Sequence, residues 1–516
     1  MIQGGRLADA VIGTLILLAL WQGLAFALQD RFLIAGPAQV LGWSIANAGL
    51  IGRALVVTGS NAALGFLAGN LAAIGLAALA LVVPRLIPMI SGLALVVFCL
   101  PMVATGPILR VMMGPGNGPQ IVLAALAVYY TTLIPLLAGL RAAPASWLDL
   151  IHVYGRGRWA ELRHIRLRAA LPYLAAGLQI AAPAAFLGAM VGEFTGAERG
   201  MGVLTIRFTR ALDIPAIWSL AAIAALVAIA AYALIGGIAR RILHEPPPVI
   251  LAPPPGGPTQ RGWMQALAVL IAVLALWWAG MRLAGLSPFF AKRPSDVLAA
   301  LAWAPDAAQT RGTLATALAQ TARHVLPGYC AGLALGAGLA VLLGLVPRLS
   351  AVLTPLAVAL RSIPIVTTAP LIVLLAGRGA AGTVLLVAVM VFFPTFVACQ
   401  HGLRQAPGRI LDVFDSYAAS RLRKLIHVGI PAMLPALFAA ARISVPAAVL
   451  AVTVVEWLAT GGGIGGLMSL SASVSDYDML WSAVVLVTLM SWLGHAVISA
   501  AERRVLATHA PEQVRP

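Results

Sequence analysis

The sequence predicts an all-α polytopic membrane protein of about 12 transmembrane helices, arranged as two parallel six-helix repeats. Three observations lead there. The 516 residues are 61% hydrophobic and 10% charged, with a mean hydropathy of +0.96, whereas a soluble domain carries about 25% charge. The apolar residues fall in long runs, each sufficient for the roughly 20-residue span a bilayer requires. The two halves of the chain also align with each other at a constant offset of 263 residues. A large soluble helical core is therefore excluded.

In chain order, the expected spans are 9–28, 58–83, 86–112, 119–140, 173–193 and 215–238, then 264–285, 315–346, 349–376, 380–402, 434–458 and 480–501. The first follows Arg6 and lacks a small-residue cleavage site, so it reads as a retained helix with its N-terminus inside. From there the turns at Pro84-Arg85 and Pro347-Arg348 fall inside, as do Arg240-Arg241 and Arg503-Arg504, and the Gly-rich link 114–118 falls outside. The basic turns lie where the positive-inside rule requires. Residues 244–262 contain seven prolines and form an extended cytoplasmic spacer. The chain divides into a first membrane domain (1–243), this linker (244–262) and a second membrane domain (263–516). Six spans per half give both copies one orientation, so the pseudo-twofold axis follows the membrane normal.

The net charge of +17 sits in short segments between apolar runs. It speaks for topology and anionic membrane lipid, not nucleic acid, since no basic surface is interleaved with aromatics. Cys99, Cys330 and Cys399 are far apart in apolar surroundings. They form neither a disulfide framework nor a zinc spacing, and read as small buried hydrophobes.

The strongest internal match pairs 139–172 with 402–435. These two polar islands share 14 of 34 residues. Among them Asp149 matches Asp412, Tyr154 matches Tyr417, Arg158 matches Arg421, Leu162 matches Leu425 and His164 matches His427. An arginine at a helix centre costs about 2.5–3.5 kcal/mol to insert, so the six arginines of the first island keep it out of the lipid. A sharp turn is expected at Gly155, and at Ala418 only with negative φ. Leu162, Ile165 and Leu167, with Leu425, Val428 and Ile430 opposite, sit at helical spacing and are expected to present an apolar face to a partner.

The islands resemble the cytoplasmic loop of permease subunits of binding-protein-dependent ABC importers, whose pattern is Glu-Ala-Ala, three residues, Gly, nine residues, Ile, one residue, Leu-Pro. Here Asp149 opens the pattern, Gly155 keeps its glycine, and Ile165 and Leu167 follow, with Arg168 in place of the proline. In the second copy Asp412 opens, Ala418 replaces the glycine, Val428 and Ile430 follow, and Pro431 is kept. Tyr154-Gly-Arg-Gly-Arg158 and Tyr417-Ala-Ala-Ser-Arg421 are similar to the finer Tyr-Gly-Ala-Ser-Arg pattern of the nitrate/sulfonate/taurine-type permeases, and the later Glu…Gly-x-Gly segment resembles them too. The resemblance implies a fused permease with a type I-like fold in the bacterial inner membrane. It also implies a dimer of ATP-binding cassette ATPases on the two islands and a periplasmic or surface solute-binding protein. The implied solute is small: an anion such as sulfonate, taurine or nitrate, or a pyrimidine-type vitamin precursor.

No catalytic constellation is present. The chain's lysines, Lys292 and Lys424, follow Ala291 and Arg423, so the Gly-Lys of a phosphate loop is missing. The chain is expected to be no enzyme and to hold no cofactor, with ATP bound by partner subunits. Candidate path residues are Asn70, Gln179, Glu193 and Glu456, polar or ionisable groups in or ending spans. Pro183 and Pro446 are expected to kink the fifth spans. The competing reading, a secondary transporter with parallel six-helix repeats, needs intramembrane acids or bases for ion coupling, and the spans contain few.

Overall fold

The computed structural model describes residues 15, 18–28, 34–143, 145–243, 262–283, 285–346, 372, 376–377 and 379–509. Almost all of the expected span at 349–376, the Pro347-Arg348 turn, the linker as far as residue 261 and part of the first span lie outside them. Every regular element described is a helix. The first half runs α1 (Leu18–Ala27), α2 (Pro37–Ala46), α3 (Ala48–Val82), α4 (Ile87–Phe98), α5 (Met102–Met113), α6 (Gly118–Arg141), α7 (Ala145–Val153), α8 (Arg158–Glu161), α9 (Leu167–Phe194), α10 (Met201–Ala211) and α11 (Ile214–Ile242). The second runs α12 (Gly262–Leu283), α13 (Pro294–Ala302), α14 (Ala307–Leu345), α15 (Ala380–Arg404), α16 (Gly408–Ser416), α17 (Arg421–Lys424), α18 (Ile430–Val455), α19 (Gly463–Ser473) and α20 (Tyr477–His509). Among the described residues nine helices are long and apolar enough to cross a membrane, or ten if α4 and α5 count as one span.

Each half is built on the same close helix contact. Gly65 and Gly69 let α3 approach α6: a Cβ at Gly65 would stand 2.8 Å from the Ile121 carbonyl. At the matching positions Gly328 and Gly332 let α14 approach α15, where a Cβ would meet the Val384 and Ala388 carbonyls at 2.8 and 2.6 Å. Within lipid the hydrophobic effect does not hold helices together, so small residues that permit backbone approach do this instead.

The expected single span 86–112 is broken. α4 and α5 meet at 92°, because Pro101, which has no N–H to continue α4, is extended (φ −73°, ψ 98°) and caps a new helix that begins at Met102. The bend carries α5 into the other half: Ala104 and Ile108 pack with Val449, Ile464 and Met468. Val103, Val191 and Phe194 pack with Ala448, Val452 and Val455. In return α12 rests on α4, with Val269 against Gly92. The halves are thus intertwined through α4, α5 and α12.

The repeat extends to the outer rim, in a shifted register. Trp21 lies tilted against Trp218 (5.6 Å) and donates to the Ala35 carbonyl (3.0 Å); Trp277 stacks on Trp481 (5.4 Å) and donates to the Lys292 carbonyl (3.0 Å). The α2 and α13 starts are closed alike, by Gln39 on the Gly36 N–H (3.1 Å) and Asp296 on the Arg293 N–H (2.9 Å). The 39 residues of α14 against the 35 of α3 absorb part of the shift.

Candidate functional site

The two polar islands fold alike. After α7 the Gly155 N–H donates to the His152 carbonyl (2.9 Å) and the Arg156 N–H to Ile151 (3.1 Å). After α16 the Ala418 N–H donates to Asp415 (2.9 Å) and the Ala419 N–H to Phe414 (2.9 Å). These are paired Schellman closures, which require a left-handed residue after the helix. Gly155 has φ 65° and Ala418 has φ 48°. The expectation that Ala418 would keep negative φ is therefore corrected: ending α16 in this way demands the left-handed turn, at about 1–2 kcal/mol for a residue with a Cβ.

Each turn is clipped by a side-chain contact between the same two positions, with the basic and acidic residues exchanged. His152 Nε2 stands 3.8 Å from Glu161 Oε2; Asp415 and Lys424 pair at the corresponding sites. The first loop adds Arg166, whose Nε donates to Glu161 (2.5 Å) and whose Nη1 donates to the Leu140 carbonyl (3.3 Å) at the end of α6. Both loops then pass through one wide π turn, Leu162–Arg166 and Leu425–Gly429, into α9 and α18. Arg168 and Pro431 occupy equivalent positions just beyond, so the proline is not needed for the wide turn.

The apolar face expected on these loops is corrected. Ile165 and Val428 are buried in the protein's own packing, while Leu162, Leu425, Ile430 and Pro431 are half-buried and Leu167 is exposed. Asp149, Gly155, Asp412, Ala418 and Arg421 are exposed; the Arg158 side chain lies outside the described set. The large apolar groups left uncovered are other residues at repeated positions. Trp147 corresponds to Ile410, Leu150 to Val413, Tyr154 to Tyr417 and Trp159 to Leu422, and all eight are exposed. Tyr417 was singled out as an identity and not as part of the apolar face. The structure instead places Tyr417 in that face: it caps the end of α16, its N–H donates to the Val413 carbonyl (3.3 Å), and its ring is 82% exposed. Its counterpart Tyr154 stands out in the same way after α7. α7 and α16 bury no described side chain. Only the tyrosines are an identity, so counting identities hid the other three pairs; matching apolar class at the 263-residue offset would have found them.

The four candidate path residues take part in helix contacts. Asn70 accepts from Thr132 (2.6 Å) and donates to the Phe66 carbonyl (2.8 Å). Gln179 donates to the Tyr232 carbonyl (3.4 Å), over Gly236. Glu193 and Glu456 are each 1% exposed, neither snorkelled nor in a loop. Glu193 accepts from Thr58 (2.7 Å) and from the Gly202 N–H (2.7 Å), while the Met201 N–H donates to Thr58 (2.8 Å). Glu456 accepts from Thr321 (2.8 Å) and the Gly465 N–H (3.0 Å), while the Ile464 N–H donates to Thr321 (2.9 Å). Each carboxylate thus joins three helices and sits at the N-terminus of a short one, α10 or α19, where the helix dipole favours an anion. Gly200 (φ 136°) and Gly463 (φ 61°) lie against these carboxylates, with no room for a Cβ.

Sequence reading missed a further buried pair. Arg442 Nε on α18 and Glu502 Oε2 on α20 stand 2.8 Å apart, a charge contact rather than an aligned hydrogen bond. Arg442 hid inside the apolar run 434–458, and Gln179 and Ala239 hold its and Glu502's places in the first half.

Comparison with known proteins agrees with this duplicated architecture. Residues 65–244 and 332–506 each match the family described as binding-protein-dependent transport system inner membrane component. A probable ABC transporter permease protein of Haemophilus influenzae is 35% identical over 198 residues, covering 36% of this chain and 81% of its own length. The formylaminopyrimidine transport permease protein ThiX of Halalkalibacterium halodurans is 27% identical, covering 35% of this chain and 76% of its own. The putative aliphatic sulfonates transport permease protein SsuC of Bacillus subtilis is 22% identical, covering 48% and 89%. Each relative is matched over most of its length by less than half of this chain. The polypeptide belongs to the binding-protein-dependent transport system inner membrane components, the non-catalytic permeases of ABC transporters, and carries that family's domain twice.

Proposed function

We propose that this polypeptide supplies both permease halves of an ATP-driven importer. An ATPase dimer grips the two loops, and a binding protein delivers the solute to the opposite side. The observation that carries the reading is the repeated pair of exposed, apolar-tipped helices α7 and α16, which no part of the described chain covers. Motion of either helix passes through its side-chain clip and wide turn into α9 or α18. The 28 residues of α9 extend about 42 Å. Its far end carries Glu193, fastened to α10, as α18 leads to Glu456 and α19. A push on a loop therefore acts on the outer Gly-rich turns where the halves meet. A secondary transporter would have no use for two such exposed helices.

The solute class favoured is a small organic or inorganic anion such as a sulfonate, taurine or nitrate, with a formylaminopyrimidine-type precursor as the second candidate. The sulfonate and formylaminopyrimidine permeases among the relatives support these classes. Reversing Arg158 and Arg421 together to Glu is expected to abolish binding-protein-dependent uptake and ATPase co-purification while membrane insertion persists. Unchanged uptake and co-purification would defeat the assignment. Uptake assays with labelled sulfonates, nitrate and pyrimidine precursors then choose the solute.

A further inference from the structure

The outer end of the first half holds a charged pocket whose Arg110, Glu198 and Arg199 have the uncharged register counterparts Val373, Gly461 and Gly462. It encloses about 310 Å³ and is lined by Arg110 of α5, Asn117 and Gln120 at the start of α6, and Glu198 and Arg199 in the turn after α9. None of the ion pairs among the described residues involves Arg110, Glu198 or Arg199. The buried Gln120 amide, oriented to donate to the Gly116 and Asn117 carbonyls (3.2 and 3.1 Å), occupies acceptors that would otherwise repel an anion. The positive end of the α6 dipole lies at the same place. Two guanidinium groups against one carboxylate leave the pocket cationic.

The charge also runs against topology. Arg53, Arg110, Arg199, Arg207 and Arg210 all sit at the outer end of the first half, where the positive-inside rule disfavours them. Their register counterparts are Thr316, Val373, Gly462, Leu470 and Ser473, all uncharged. At Thr316, Gly462, Leu470 and Ser473 the second half builds the same fold without arginine, so packing does not require one there. Guanidinium groups match oxyanions through paired N–H donors, and the volume suits a small solute.

We propose that this pocket is a receiving site for a small oxyanion, a sulfonate, sulfate, phosphate or carboxylate group, at the outer entrance of the first half alone. The proposal rests on the importer reading and narrows it to an anionic solute. The test is equilibrium dialysis of radiolabelled methanesulfonate and sulfate against the full chain in lipid nanodiscs, with dimethyl sulfone as the neutral competitor. Saturable binding of at least one anion, not displaced by dimethyl sulfone, is expected. Arg110→Gln with Arg199→Gln should weaken it about tenfold, whereas Glu198→Gln should tighten it about threefold by removing the opposing charge. Arg207→Gln with Arg210→Gln should leave affinity within about a factor of two, being outside the pocket.

No saturable binding by the wild type, or equal affinity in the Arg110/Arg199 variant, would overturn the proposal. So would equal weakening by the Arg207/Arg210 variant, which would reveal a diffuse field. If neither anion binds and the Arg110/Arg199 variant instead loses association with the binding protein, the pocket is a docking contact and the proposal fails. The importer reading is tested separately by ATPase co-purification through the loops, so either idea can fall while the other stands.

Discussion

The two halves of this permease repeat their buried glutamate cluster by identity and their exposed loops by class. Thr58, Glu193 and Gly202 reappear as Thr321, Glu456 and Gly465, with the same donors and acceptors. The loops instead keep a shape while changing its chemistry. His152 and Glu161 become Asp415 and Lys424, Trp147 becomes Ile410, and Gly155 becomes Ala418. The difference has a physical origin. A buried carboxylate in an apolar bundle has few donors to choose from, and a substitution strands all of them. An exposed turn has water as an alternative partner, so only its backbone conformation and apolar tips are constrained.

The sharpest way to break this comparison is at the buried network. Glu193→Leu, or Glu456→Leu, should strand a hydroxyl and an N–H at about 1–3 kcal/mol each, giving the largest losses of thermal stability in detergent. The two losses should be similar, and a tolerated change in one half alone would show that the identity is incidental.

Next come the exposed tips. Leu150→Asp and Val413→Asp should each weaken ATPase co-purification about tenfold, the effect of one interface anchor, with folding intact by thermal melting. A loss confined to one loop would show that the halves are gripped unequally. The turns follow: Ala418→Gly should stabilise the second loop by about 1 kcal/mol, and Gly155→Ala should destabilise the first by a similar amount. Hydrogen exchange at the ends of α16 and α7 reads both directly.

The smallest effect belongs to the clips, partly exposed side-chain contacts of about 0.5 kcal/mol. Glu161→Lys alone should reduce uptake, by setting a lysine beside Arg166 and His152. Adding His152→Asp and Arg166→Gly installs the polarity of the second loop and should restore it. Failure of the triple variant would mean that the tie from Arg166 to Leu140 matters more than the clip.

Much of this molecule was legible in its residues. The apolar runs marked most spans, the 263-residue offset marked the duplication, and the arginine islands marked the loops. Ala418 was misjudged because a steric preference of about 1 kcal/mol yields to hydrogen bonding at a helix end. The kink at Pro101 was missed because α4 and α5 together form one continuous apolar run. Ile165 and Val428 seemed available to a partner, since helical spacing reveals a shared face without revealing what covers it. Tyr417 drew notice as a repeated letter, yet its place on the uncovered face emerged only once α16 was seen to end beneath it. Arg442 and Glu502 escaped notice because each is invisible as a pair until α18 and α20 are laid together.

The sequence by itself determined the solvent, the repeat and the location of the basic loops, because hydropathy and internal similarity are properties of the chain read along its length. Tertiary structure decided that α4, α5 and α12 cross between halves, that the outer glutamates each fasten three helices, and which apolar groups remain uncovered on the loops. Those outcomes depend on contacts between residues more than a hundred positions apart, such as Thr58 with Glu193, and such contacts become definite only when packing fixes which faces meet.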